Sequence, residues 1–216
     1  MNTGTRKTVW VVWGGLLLLV TLLLVGLLVQ IRSRANAIDL PVVGQVADFT
    51  LTNQNGKAVS LADLRGHVWV GDIIFTRCPG PCLKMTRQMK ELENALPDKS
   101  DSKLVTLTTD PDYDRPAILK AYCGRFRADT NQWMFLTGTK DEIRKLGRDS
   151  LKLTAEEKTA EQRENSDDLF IHSTIFVLVD RKAQLRGVFE TTGEGIDPKG
   201  VQEKILASVR QLEREK

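Results

Sequence analysis

Two cysteines, Cys78 and Cys82, bracket Pro79-Gly80-Pro81, where an apolar run gives way to a helical pattern. The preceding stretch from Val68 to Phe75 is almost continuously apolar, as suits a strand buried on both faces. Beyond it Cys82, Met85, Met89, Leu92 and Leu96 recur at intervals of three and four, which predicts an amphipathic helix stopped by Pro97. A helix N-terminus carries partial positive charge and favours thiolate over thiol. Thiolate both attacks disulfides and ligates metals. Pro79 and Pro81 stiffen the turn and Gly80 allows it to close tightly, so the two sulfurs can be held together. Three residues separate the cysteines, one more than in the common redox motif. The longer loop can still close a disulfide, and it leaves room for two thiolates to hold one ion.

The elements that must position this turn follow from pattern. A hairpin is expected over Asp48–Thr52 and Lys57–Ser60, with Gly56 free to take positive φ in the Asn53–Gly56 turn. Leu61–Leu64 suits one helical turn, Leu104–Thr108 and Trp133–Leu136 suit strands, and Asp141–Leu146 a helix. Asp114 reads as the N-cap of a helix with Pro116 in its first turn. Thr154–Asp168 is charged and poor in large apolar residues, hence a loop or solvated helix. Phe170–Val179 reads as one long apolar strand, followed by Gln184–Glu190 and a closing helix with Val201, Ile205, Val209 and Leu212 on one face. Alternating strands and helices point to an α/β fold around a central sheet.

From Thr8 to Ile31 the chain has no charge and is rich in Leu and Val. Those positions would rise about 36 Å as a helix, enough for the ~30 Å hydrocarbon core. A transmembrane helix is therefore expected at about 9–31, within a tail and anchor covering 1–34. A linker at 35–46 and a domain at 47–216 follow. The small residues of Ala35-Asn36-Ala37 resemble a signal-peptidase site, but the apolar run is longer than a signal peptide's, which favours an uncleaved anchor. Basic flanks are nearly balanced between Arg6-Lys7 and Arg32/Arg34. The free amino terminus, and a cysteine pair suited to an oxidising or metal-handling compartment, place the N-terminus inside. The implied location is a bacterial inner membrane, single-pass, with the domain on the periplasmic or extracytoplasmic side.

Net charge is +3, but the anchor flanks hold four of the 31 basic residues and none of the 28 acidic ones. The remainder is near neutral and lacks the footprint of a nucleic-acid binder. Three cysteines in 216 residues exclude a disulfide-dense scaffold.

Four local patterns resemble the Sco/SenC family of copper-binding, thioredoxin-like proteins. They are Phe75-Thr76-Arg77-Cys78-Pro79-Gly80-Pro81-Cys82, Asp110-Pro111-Asp112-Tyr113-Asp114, Phe135-Leu136-Thr137-Gly138-Thr139, and His172-Ser173-Thr174 opening a strand that ends at Asp180. The resemblance spans roughly Val46 to Lys216, and the N-terminal anchor fits it too. Leu83 departs from it, since the family often has proline there; the ligand set is untouched. The resemblance implies a thioredoxin-like central sheet flanked by helices and a metal site of Cys78, Cys82 and His172. In such folds the loop entering the late hairpin faces the cysteine turn, which is where His172 falls. Two thiolates and an imidazole form a soft set that suits copper as Cu(I) or Cu(II), whereas structural zinc wants four ligands. His67, the other histidine, reads as a surface or strand-end residue.

Asp72, six positions before Cys78, has two readings: by analogy with thioredoxins it tunes the cysteine pair, or it pairs with a base at a sheet edge. Asp110 is either a supporting partner of His172 or Arg77, or a turn residue before Pro111. Met85 and Met89 match the apolar stripe and read as core, and Cys123 as a packed, inert thiol.

The function implied is a metallochaperone delivering copper to the centre of cytochrome c oxidase, with subunit II or a similar copper protein as partner and no nucleic acid. The alternative is a thiol-disulfide oxidoreductase, with Cys78 and Cys82 as the redox-active pair, that reduces cysteines of a copper-site apoprotein. A peroxide-reducing enzyme ranks last, because such enzymes set the reactive cysteine in a different motif.

Overall fold

The computed structural model describes residues 3–35, 38–78, 80–97, 100–153, 155–162, 170–172 and 174–215. Met1–Asp39 and Leu40–Lys216 are separate compact units.

In the first unit Thr3–Ala35 form one helix, α1. Among the described residues no helix is long and apolar enough to cross a membrane. This corrects the expected transmembrane span at 9–31. The membrane-anchored attachment and the single-pass inner-membrane placement, which rested on that span, are corrected with it. Asn36 and Ala37 of the cleavage-like triplet lie outside the described residues.

The second unit is built on eight strands. They are β1 (Gly44–Gln45), β2 (Thr50–Asn53), β3 (Ala58–Ser60), β4 (Trp69–Ile74), β5 (Lys103–Thr108), β6 (Trp133–Thr137), β9 (Ile175–Val179) and β10 (Gln184–Glu190), with β7 (Ala155–Glu157) and β8 (Phe170–His172) forming a separate two-stranded sheet. The main sheet runs β1-β10-β9-β4-β5-β6-β2-β3. The β4, β5 and β6 strands are parallel, while β9 meets β4 antiparallel. The helices are α2 (Leu61–Leu64), α3 (Pro81–Ala95), α4 (Pro116–Arg125), α5 (Lys140–Arg144) and α6 (Pro198–Arg214). The α3 and α6 helices pack together, and α4 lies on β6. This is the thioredoxin-like sheet flanked by helices.

All six positions of β4 are buried, because it is a central strand with neighbours on both sides. Val105, Leu107, Ile73, Val177 and Val179 from the sheet meet Leu146, Leu151 and Leu153 in one core cluster. Trp133 stacks on Phe135 with ring centroids 4.7 Å apart, and its indole N–H donates to Thr106 Oγ1 at 2.9 Å. Gly56 turns the first hairpin at φ 76°, as its position required.

Three expectations change. Phe170–Val179 is not one strand. The chain leaves β8, whose His172 pairs with Ala155 of β7, before it enters β9. Part of the charged stretch after residue 154 is therefore β7 and a 3₁₀ turn at Ala160–Gln162, while residues 163–169 lie outside the description. The helix expected at Asp141–Leu146 ends at Arg144 and widens into a π-helical segment, Lys145–Ser150. Asp114 is not an N-cap: Arg115 holds that place before Pro116, and Asp114 is fully buried.

Candidate metal centre

The cysteine turn forms where buried β4 must hand the chain to an amphipathic helix. Gly80 takes the N-cap position of α3 and Pro81 its first turn, where a missing N–H costs nothing. Cys82 follows, wholly buried, with Met85, Met89 and Leu92 continuing its stripe into the core. Cys78 is half-buried, and its backbone N–H donates to Phe75 O at 3.1 Å. Pro79 lies outside the described residues.

The two thiols interact directly. Hydrogen bonding with the Cys78 side chain is the main cause that pushes the Cys82 thiol far up from its usual range. Burial and the nearby Cys78 and Asp72 charges act in the same direction, and the Phe75 backbone N–H opposes them only in part. The bond to Cys78 and burial thus both work against the thiolate form of Cys82. Cys78, Cys82 and Cys123 are all thiols outside any disulfide. The disulfide bond expected for the first two is thus absent from this structure.

Asp72 is fully buried on the central strand β4, opposite Thr106, so the sheet-edge reading falls away. Its charge raises the Cys82 thiol and, behind burial itself, the Tyr122 hydroxyl. Tyr122 OH lies 2.9 Å from Thr86 Oγ1, which donates to Cys82 O at 2.8 Å.

Asp110, also buried, accepts a hydrogen bond from Arg77. That bond is the largest cause of a raised Arg77 guanidinium pKa. The guanidinium lies 4.1 Å from the centroid of the Tyr113 ring. Asp114 accepts from Thr76 N at 3.0 Å, from Thr76 Oγ1, and from Thr108 Oγ1 at 2.5 Å. The Asp110–Asp114 loop thus grips both residues immediately before Cys78. Sequence reasoning passed over Thr76, Tyr113 and this role of Asp114; the signal available was two acids four apart at a strand end.

His172 is placed by its backbone in β8, and its side chain lies outside the described residues. Among the described residues no group of three or more His, Cys, Asp or Glu side chains could hold a metal. His67 is at the surface, with Nδ1 2.8 Å from Asp101 O. Cys123 is buried, which raises its thiol, and it donates to Lys120 O at 3.2 Å. Met85 and Met89 are fully buried in the core.

The SCO1/SenC family profile matches residues 43–210. An SCO1 protein homolog from Bacillus subtilis (strain 168) is 35% identical over 141 residues, covering 64% of this chain and 70% of its own. Among solved structures, BsSco, a Sco-family cytochrome c oxidase assembly protein with a disulfide switch, is 29% identical. It aligns with a TM-score of 0.67 over 83% of this chain and 100% of its own. Yeast Sco1 with copper bound is 26% identical, with a TM-score of 0.63 over 79% of this chain and 90% of its own. With most of the domain inside the family profile and the cysteine turn, the paired-acid loop and the sheet in place, this chain belongs to the SCO1/SenC family.

Proposed function

We propose that this protein takes one copper ion as cargo through Cys78, Cys82 and His172 and passes it on during assembly of a cytochrome c oxidase copper centre. The observation that carries the reading is the pairing of the two cysteines: thiols on one short turn, hydrogen-bonded to each other. The donor chemistry fits. Two sulfurs select soft Cu(I), an imidazole accommodates either oxidation state, and three ligands fall short of a structural zinc site. Thiol protons leave when metal binds, so the high proton affinity of Cys82 makes uptake pH-dependent. Half-exposed Cys78 gives an incoming or departing ion a route that buried Cys82 does not. The copper-bound state of yeast Sco1, a related fold, supports the same reading.

A second reading uses the same turn. Two adjacent thiols can give two electrons and two protons to a disulfide in a copper-site apoprotein, leaving the partner as a dithiol. The disulfide switch of BsSco favours keeping this alternative. His172→Ala separates the two. Copper transfer predicts loss of tight copper binding with disulfide reduction retained. A variant that binds one copper ion as tightly as the parent would remove His172 from the site.

A further inference from the structure

Gln88 stands six positions beyond Cys82 on α3 and lines a small pocket between α3, the end of β10 and α6, with Leu92, Phe176, Thr191 and Ile205. Its Nε2 donates to Thr191 O at 2.9 Å. Thr191 in turn donates to Thr174 O twice, from its backbone N–H at 2.9 Å and its Oγ1 at 2.7 Å. These bonds extend the β9–β10 ladder beyond its last pair, Ile175 with Glu190. Thr174 is two positions past His172, and two residues of chain reach no further than about 7 Å. One amide therefore ties the helix that carries Cys82 to the point where the chain arrives from His172.

The cost of this arrangement shows that packing alone does not account for it. Gln88 Oε1 is buried with no hydrogen-bond partner among the described residues. Flipping the amide would set two acceptor oxygens against each other at Thr191, so the orientation is fixed. An apolar side chain of the same length would fill the pocket and remove the unpartnered Oε1, at the loss of the bond to Thr191 O.

We propose that Gln88 is a positioning residue that preorganises the three copper ligands, holding the His172 entry in register with the Cys82 helix. This rests on the three-ligand reading above. Groups bonded directly to metal ligands change affinity about 10–100-fold when replaced; Gln88 acts through Thr191 and Thr174, which sets the expectation at the low end of that range. The redox couple of the cysteines should not depend on the bridge, because both sulfurs sit on one turn.

The test uses the full-length chain carrying Gln88→Met, with Thr191→Val as a second variant that keeps the Gln88 bond but removes one bond to Thr174. Copper affinity is measured by chelator competition, the thiolate-to-Cu(II) absorption band is recorded, and the cysteine midpoint potential is read in dithiothreitol buffers. Gln88→Met should weaken copper about tenfold or more and move the band, with the potential unchanged and thermal stability not reduced. Thr191→Val should move affinity the same way by less. Parent-like affinity in both variants overturns the proposal. So does a potential that shifts in step with affinity, which would mean a general disturbance of α3. Equal copper uptake by parent and variants defeats the role of Gln88 alone, whereas a parent that takes no copper defeats the site reading and this proposal together.

Discussion

The Asp114 carboxylate accepts both the backbone N–H and the hydroxyl of Thr76, two positions before Cys78, while it also holds Thr108 Oγ1 at the end of β5. The cysteine turn is therefore fastened at its base to the loop that follows the neighbouring parallel strand. Asp114→Ala would leave one buried donor, on Thr108, and two part-buried donors, on Thr76, and a fully buried loss costs about 1–3 kcal/mol. The expected outcome is a stability loss of about 2–4 kcal/mol in urea, seen as a lower midpoint with an unchanged slope. A change below about 0.5 kcal/mol would put these bonds outside the stability of the fold.

The same carboxyl gives a pH signature. Burial raises the Asp114 pKa above its ordinary value, outweighing the lowering by Thr108 and Thr76, and the Asp110 charge adds to the rise. In the unfolded chain an aspartate titrates near 3.9, at about its usual value. The native state thus binds the proton more tightly. The contribution is full below the unfolded pKa and is lost as pH rises through the higher folded value. Unfolding curves of the parent and Asp114→Asn, measured from acid toward neutral pH, should show the parent losing relative stability as pH increases. A difference that is flat across that range, or grows with pH, contradicts the raised pKa.

Arg77 clamps the turn from the other side, bonded to Asp110 and stacked on Tyr113. Lysine supplies charge without a planar fork, so Arg77→Lys should behave like Arg77→Ala rather than like the parent. Both should speed alkylation of half-exposed Cys78 severalfold, while global stability changes by only about 1 kcal/mol, since Arg77 is exposed over two-fifths of its side chain. Identical alkylation rates in all three proteins would show that the clamp does not restrain the turn.

Met85 and Met89 lie entirely in the core. Replacing each with leucine conserves volume and should cost less than about 1.5 kcal/mol. Copper stoichiometry should stay at that of the parent. Loss of copper with a stable fold would make one of these thioethers a ligand.

How far these features could be read in the sequence depended on how local their causes are. The α3 stripe and the Gly56 hairpin were legible, because periodicity and a required positive φ are written into neighbouring residues. The separate strand Phe170–His172 was not. An apolar run carries no mark of where its partner changes, and the partner β7 is drawn from a charged stretch. Asp114 had the sequence surroundings of a cap, yet the threonines that claim it are Thr108 of β5 and Thr76 just beyond β4. The upward push on the Cys82 thiol was missed for the same reason, since its bond to Cys78 and its burial, rather than its place on the helix, set the direction. The apolar N-terminal stretch was legible as a helix, but the span and anchoring inferred from it did not survive. Gln88 and Thr191, 103 positions apart, left no trace in either local pattern.

X-ray absorption on the full-length chain loaded with Cu(I) under reducing conditions tests the central claim most directly. The account predicts one copper ion per chain with two sulfur neighbours and one imidazole nitrogen, the nitrogen vanishing in His172→Ala. Stoichiometric zinc without copper uptake, or a copper shell that His172→Ala leaves unchanged, would contradict it.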